Sequence, residues 1–227
     1  MSNIVDFKKP KPTPPANKPP KQPFINLPPM TKWLLISLLA IYGITNFLIG
    51  AEMRTYIYLN FGFVPALWTG QTDYPFDLNT LISPLTYIFL HANFMHIIMN
   101  CAMLMAFGAG VEKWMGGRKF IEFFILCGIA SVIFETAIHP FSTNPVIGAS
   151  GAESGLFAAI LIVMQQSGRM PTGKYGIWPF AAIWVGISLL FALFGGALAG
   201  GQIAWAAHLG GFLSGFLFLK LKYFRGY

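Results

Sequence analysis

A chain of 227 residues that is 55% hydrophobic and only 10% charged falls well short of the roughly 25% charge of soluble domains, which excludes an ordinary soluble protein. The net charge of +7 would suit a nucleic-acid binder, but among apolar spans basic residues first report membrane orientation, so no nucleic-acid partner is expected. Cys101 and Cys127 sit inside apolar runs without metal-ligand spacing; they read as buried small hydrophobes, with no disulfide, metal or cofactor implied.

Residues 1–30 form a separate region. Lys8-Lys9-Pro10-Lys11-Pro12 and Lys18-Pro19-Pro20-Lys21 combine missing backbone donors with mutual repulsion, so a disordered cytoplasmic tail attracted to anionic lipid is expected. It has neither the apolar core of a signal peptide nor the amphipathic arginine pattern of a transit peptide. Residues 31–227 are expected to form one all-α membrane domain of six spans. Span one covers about Trp33 to Ala51. The following segment, Glu52 to about Leu90, is rich in aromatics and broken by Pro65, Pro75 and Pro84. It reads as a partly embedded, irregular interfacial loop.

Span two, about Asn93 to Val111, has Asn93 as its expected N-cap. A charged turn, Glu112 to Lys119, leads to span three, about Phe120 to Ile138. Glu122 and Glu135 lie within a turn of its ends, where a carboxyl reaches water. Span four runs from Ser150 to about Met164 and span five from about Ile177 to Phe194. A glycine-rich link, Gly195 to Gly201, precedes span six, about Ile203 to Leu221.

Six of the basic residues precede span one, three lie in the 2–3 turn, two in the 4–5 loop and three at the C-terminus, so fourteen of fifteen fall on one side and Arg54 alone on the other. The positive-inside rule then puts both termini in the cytoplasm.

Chemistry concentrates at Gly148-Ala-Ser150-Gly151 and on to Gly155. A serine among glycines at a helix start is open to approach, and the free N–H groups of that first turn are donors to an oxyanion. Taken alone, such a cluster is more often a packing device. Parity changes the balance. Spans two, four and six enter from the same outer face, so their first turns share one depth. His208 lies about five residues into span six, or roughly 8 Å down at 1.5 Å per residue. His96 and Asn100 fall on one face of span two at i and i+4. Ala207, Gly211 and Gly215 form a small-residue stripe on span six, and packing it against the Gly/Ala face of span four brings His208 to Ser150.

Blander readings stand beside these. His208 could be a hydrogen-bonded structural histidine, and Asn100 interhelical glue. His91 and His96 are five apart and make no good metal pair. His139, beside Pro140, reads as an interfacial residue.

The segments His91-Ala-Asn-Phe-Met-His96-Ile-Ile-Met-Asn100, Gly148-Ala-Ser150-Gly151 and Ala207-His208-Leu-Gly-Gly211-Phe-Leu-Ser-Gly215 together resemble, in order and internal spacing, the motifs of the rhomboid intramembrane serine proteases. Glu112 with Gly116 resembles the family's charged 2–3 turn. The resemblance implies Ser150 as nucleophile and His208 as general base, with His96, Asn100 and the Ser150 N–H as oxyanion hole. It makes His91, Gly148, Gly151, Gly211 and Gly215 supporting residues, Glu52–Leu90 an embedded first loop, and Gly195–Gly201 a mobile cap. It implies single-pass transmembrane substrates cut near a span end, and a bacterial inner membrane as the location.

The chain departs from the family at Ser154, where an aromatic often stacks on the histidine, and in lacking a Trp-Arg pair in the first loop. Trp205, one turn before His208, is then expected to orient its ring. Glu153 is left with two readings, facing a water-filled cavity or accepting a proton. An inactive rhomboid-like scaffold and a six-span transporter are the competing functions. The retained serine and histidine weigh against the first, and the scarcity of polar groups in the inner halves against the second.

Overall fold

The computed structural model describes residues 26–170, 173–199 and 204–224. Most of the expected tail, residues 1–25, lies outside that range, as do Gly200 and Gly201 of the expected cap. Among the described residues the architecture is helical: α1 Pro29–Leu48, α2 Ala51–Phe61, α3 Pro65–Thr69, α4 Leu78–Phe89, α5 Phe94–Met115, α6 Gly117–Ile138, α7 Ser150–Gln166, α8 Trp178–Ala199 and α9 Trp205–Lys220. Of these, α1, α5 and α6 are long and apolar enough to cross a membrane by themselves. At 17 and 16 residues, α7 and α9 fall below the roughly 20 that a lone span needs.

Helix α1 starts at Pro29, earlier than the sequence suggests. Pro29 at the first position needs no N–H partner, and the next donors are met from a distance. Glu112 of α5 accepts from Met30 N at 2.9 Å, Thr31 N at 2.7 Å and Thr31 Oγ1 at 2.8 Å. A residue expected in a charged turn is thus a buried cap that ties α1 to α5. Gly116, at φ 85, makes the tight reversal from α5 into α6, a conformation that favours glycine.

The first loop is largely helical rather than irregular. It folds into α2, α3 and α4, which satisfies its backbone donors and acceptors internally. Asp77 caps α4 through Thr80 N at 2.8 Å, and that bond holds its carboxyl below the usual carboxylate range. Thr86 Oγ1 donates to the Phe61 carbonyl at 2.6 Å, closing α4 onto α2. Tyr56, Leu59, Leu81 and Leu85 remain exposed, as on a surface that meets lipid.

The centre is a triple contact of α6, α7 and α9. A Cβ on Gly211 would overlap the Gly151 carbonyl oxygen, one on Gly215 would stand 2.7 Å from the Gly155 oxygen, and one on Gly210 would overlap the Phe134 Cβ. The backbones of α7 and α9 therefore touch, with α9 wedged against α6. Phe120, Phe123, Phe124, Leu104 and Leu156 fill the adjoining core. Helix α8 packs separately on α7 and α9 through Ala181, Ile177, Leu161 and Phe212.

The link expected at Gly195 begins later: the backbone of Gly195–Ala199 continues α8. A glycine costs a helix about 1 kcal/mol, less than exposing unsatisfied backbone to lipid.

Candidate active site

Ser150 is the first residue of α7. The chain reaches it through a narrow arch. Val146 pairs with Phe63 in both directions, at 2.9 and 2.7 Å, and Gly148 N donates to the Tyr87 carbonyl at 2.9 Å. Gly148 has φ 112, and a Cβ there would collide with the imidazole of His96. Glycine is required on both counts.

Ser150 Oγ and His208 Nε2 lie 2.8 Å apart. Both residues are half-buried. The floor beneath Ser150 is closely packed and hydrogen-bonded. Tyr87 Oη donates to the Gly128 carbonyl and sits 2.8 Å from Ser131 Oγ, and a Cβ on Gly151 would overlap that Oγ. Tyr87 and Ser131 carried no sequence signal. Tyr87 is one of many first-loop aromatics and Ser131 a single serine in span three until the fold stacks α4, α6 and α7.

His96 closes the other side. Asn93 caps α5 by accepting from His96 N at 2.9 Å. Ala92 N donates to His96 Nδ1 at 3.4 Å, which leaves Nε2 as the protonated nitrogen, directed at Gly148. Asn100 is buried, and its Nδ2 donates to the His96 carbonyl at 2.8 Å. A second Nδ2 hydrogen remains, since a primary amide carries two.

His91 lies behind both and is fully buried. Its carbonyl accepts from Tyr58 Oη at 2.7 Å and Asn46 Nδ2 at 3.5 Å, its Nδ1 meets the Phe89 carbonyl at 3.4 Å, and its ring packs edge-on to His96 at 4.9 Å. Burial and the neighbouring His96 push it down to about 3, so it stays neutral. Tyr58 and Asn46, which pin His91 from the first loop and α1, were also silent in the sequence.

Two expectations change. Trp205 does not reach the His208 ring; it packs edge-on against His139 at 5.9 Å, because its position in α9's first turn faces the end of α6. Glu135 is buried rather than water-facing, and it pairs with the interfacial His139. One Glu135 oxygen meets His139 Nδ1 at 2.8 Å and the other accepts from Ala207 N at 2.9 Å.

Ser154 turns back on its own helix, Oγ donating to the Ser150 carbonyl at 2.8 Å. Glu153 is fully buried, and neither oxygen has a hydrogen-bond partner among the described residues. Cys101 and Cys127 are free and buried. No cluster of His, Cys, Asp or Glu suited to a metal occurs among the described residues.

An all-helical integral membrane protein with a serine–histidine pair at a helix start is the class that this fold and geometry define. The Rhomboid domain family model matches residues 79–223, and the chain belongs to the rhomboid family. It is 30% identical over 132 residues to rhomboid protease GluP of Bacillus subtilis, covering 58% of this chain and 24% of that protein. It is 28% identical over 153 residues to the mitochondrial Rhomboid protein 1 of Saccharomyces cerevisiae, covering 65% and 43%. It is also 25% identical over 132 residues to Inactive rhomboid protein 1 of Danio rerio, covering 57% and 14%. The chain therefore spans less than half the length of each of these relatives.

Proposed function

We propose that this protein is an intramembrane serine endopeptidase that hydrolyses single-pass transmembrane proteins near a span end. The observation that carries this reading is the 2.8 Å approach of Ser150 Oγ to His208 Nε2, within the 2.6–3.2 Å that proton transfer needs. His208 Nε2 takes the hydroxyl proton as Oγ bonds to the scissile carbonyl carbon. The new oxyanion is met by His96 Nε2–H, the spare Asn100 N–H and the free Ser150 N–H at the start of α7. His208 then gives its proton to the departing amine as the C–N bond breaks. Water, deprotonated by the same imidazole, releases the acyl group and restores Ser150. No step requires a cofactor.

In the arrangement we favour, α7, α8 and α9 also cross the bilayer, giving six spans. Both termini are then cytoplasmic, the Ser150 end lies outward in a bacterial inner membrane, and residues 1–30 form a solvated tail. The test is cleavage of a model single-span substrate in detergent. Wild type should cut it and Ser150→Ala should not. A second reading, a scaffold that binds transmembrane clients without cutting, is favoured by the similarity to Inactive rhomboid protein 1. Absence of cleavage by folded wild type would select it.

A further inference from the structure

Among the described residues the first turn of α9 has no side-chain cap of its own. Ala204, which precedes it, offers no side-chain oxygen, and the first internal bond, His208 N to the Ala204 carbonyl, is long at 3.3 Å. The third N–H of the turn, Ala207 N, is the donor that an N-cap oxygen would normally satisfy. Here it goes instead to Glu135 Oε2 of α6 at 2.9 Å. The other oxygen of Glu135 is held by His139 Nδ1, the Trp205 ring closes over His139, and His139 N donates to the Glu135 carbonyl at 2.7 Å. Trp205 and Ala207 are thus tied to the end of α6, and the next residue is His208.

The glycine stripe cannot supply this tie. Contacts of Gly211 and Gly215 with α7 fix how near the two backbones come, but smooth glycine surfaces do not interlock along the axis. A bond at the helix start fixes height and rotation. A carboxyl is also the group best placed there, since it complements the partial positive charge of a helix N-terminus.

We propose that Glu135 is the positioning residue of His208: by capping α9 from α6 it sets the height at which His208 Nε2 meets Ser150 Oγ. This rests on the protease reading above, and it replaces the aromatic stacking that Ser154 and Trp205 do not provide.

The experiment measures fluorophosphonate labelling of Ser150 in the full chain in detergent, reading the rate constant, which belongs to folded molecules, apart from the amplitude, which counts them. Glu135→Gln keeps an oxygen for Ala207 N and should stay within about threefold of wild type. Glu135→Ala should lower the rate constant by about 10- to 100-fold, the cost of a misplacement near 1 Å. Adding Ala204→Ser to Glu135→Ala offers the same N–H a cap oxygen in cis and should bring the rate constant back toward wild type. A Glu135→Ala protein with reduced amplitude but the wild-type rate constant would show a purely structural clamp and overturn the proposal. If Glu135→Ala gives no labelled protein, the double variant decides: recovered labelling supports positioning, and a dead double variant overturns it. Wild type that neither labels nor cleaves would instead remove the protease reading, and this proposal with it.

Discussion

At the scale of single residues, the two side chains proposed as oxyanion donors are held by different means and should fail differently. The His96 ring is fixed by Ala92 N and by contact with buried His91. Asn100 is held through the His96 carbonyl, and its Oδ1 has no partner within hydrogen-bond geometry among the described residues. His96→Ala and Asn100→Ala should each slow cleavage by about 10²–10³ while leaving a folded protein, as measured by turnover beside thermal unfolding. Either variant cutting at the wild-type rate would make that residue structural only. Glu153 presents the opposite case. Dehydrating a carboxyl without a partner costs stability, whereas an apolar side chain of similar size carries no such cost. Glu153→Leu should therefore raise stability by about 1–3 kcal/mol, read as a higher midpoint of denaturation in detergent. A lower midpoint would mean that the carboxyl is bonded in the folded protein.

At the scale of helices, the small-residue stripe couples stability to chemistry. Gly211 has the Gly151 backbone against it, so relief cannot come from a side chain turning aside. Gly211→Val should cost about 1–3 kcal/mol and lower cleavage at least ~10-fold, the helices parting just below the Ser150–His208 contact. Full activity in that variant would place their approach elsewhere. This stripe could be read in the sequence because glycines at four-residue spacing in an apolar helix have one common use. So could the Asn93 cap, which is a local contact between residues three apart. The Glu112 cap of Met30 and Thr31 could not, because it joins residues 81 and 82 positions apart. The same limit hid Glu135, which lies 72 positions from Ala207, and Tyr58, 33 from His91. The helices of the first loop are hidden in the sequence for another reason. Its prolines read as breaks, yet Pro65 stands at the first turn of α3, where a proline lacks nothing.

At the scale of the whole molecule, position along the helix axes separates two kinds of chemistry. One end carries Ser150, His208, His96 and the Asp77-capped loop helix. The other carries the Glu112 cap, the Gly116 reversal, and Arg118 and Lys119 with Tyr223, where Arg118 pairs with Glu122 at 3.0 Å and Lys119 lies over the Tyr223 ring. That second end gathers the 2–3 turn and the C-terminal segment, two of the groups of basic residues counted in the sequence. If the basic end faces the cytoplasm, the active-site end faces outward and Asp73 lies with it. The orientation can be measured with Asp73→Cys in a background where Cys101 and Cys127, both buried, are replaced by serine or alanine. In intact cells a membrane-impermeant maleimide should label position 73, whereas a cysteine at Lys119 should react only after the membrane is opened. Labelling of position 119 but not 73 in intact cells would invert the molecule. The 2.8 Å pair would survive that result, but its water and its substrates would then have to come from the cytoplasmic face, and the proposal of an outward-facing protease would be lost.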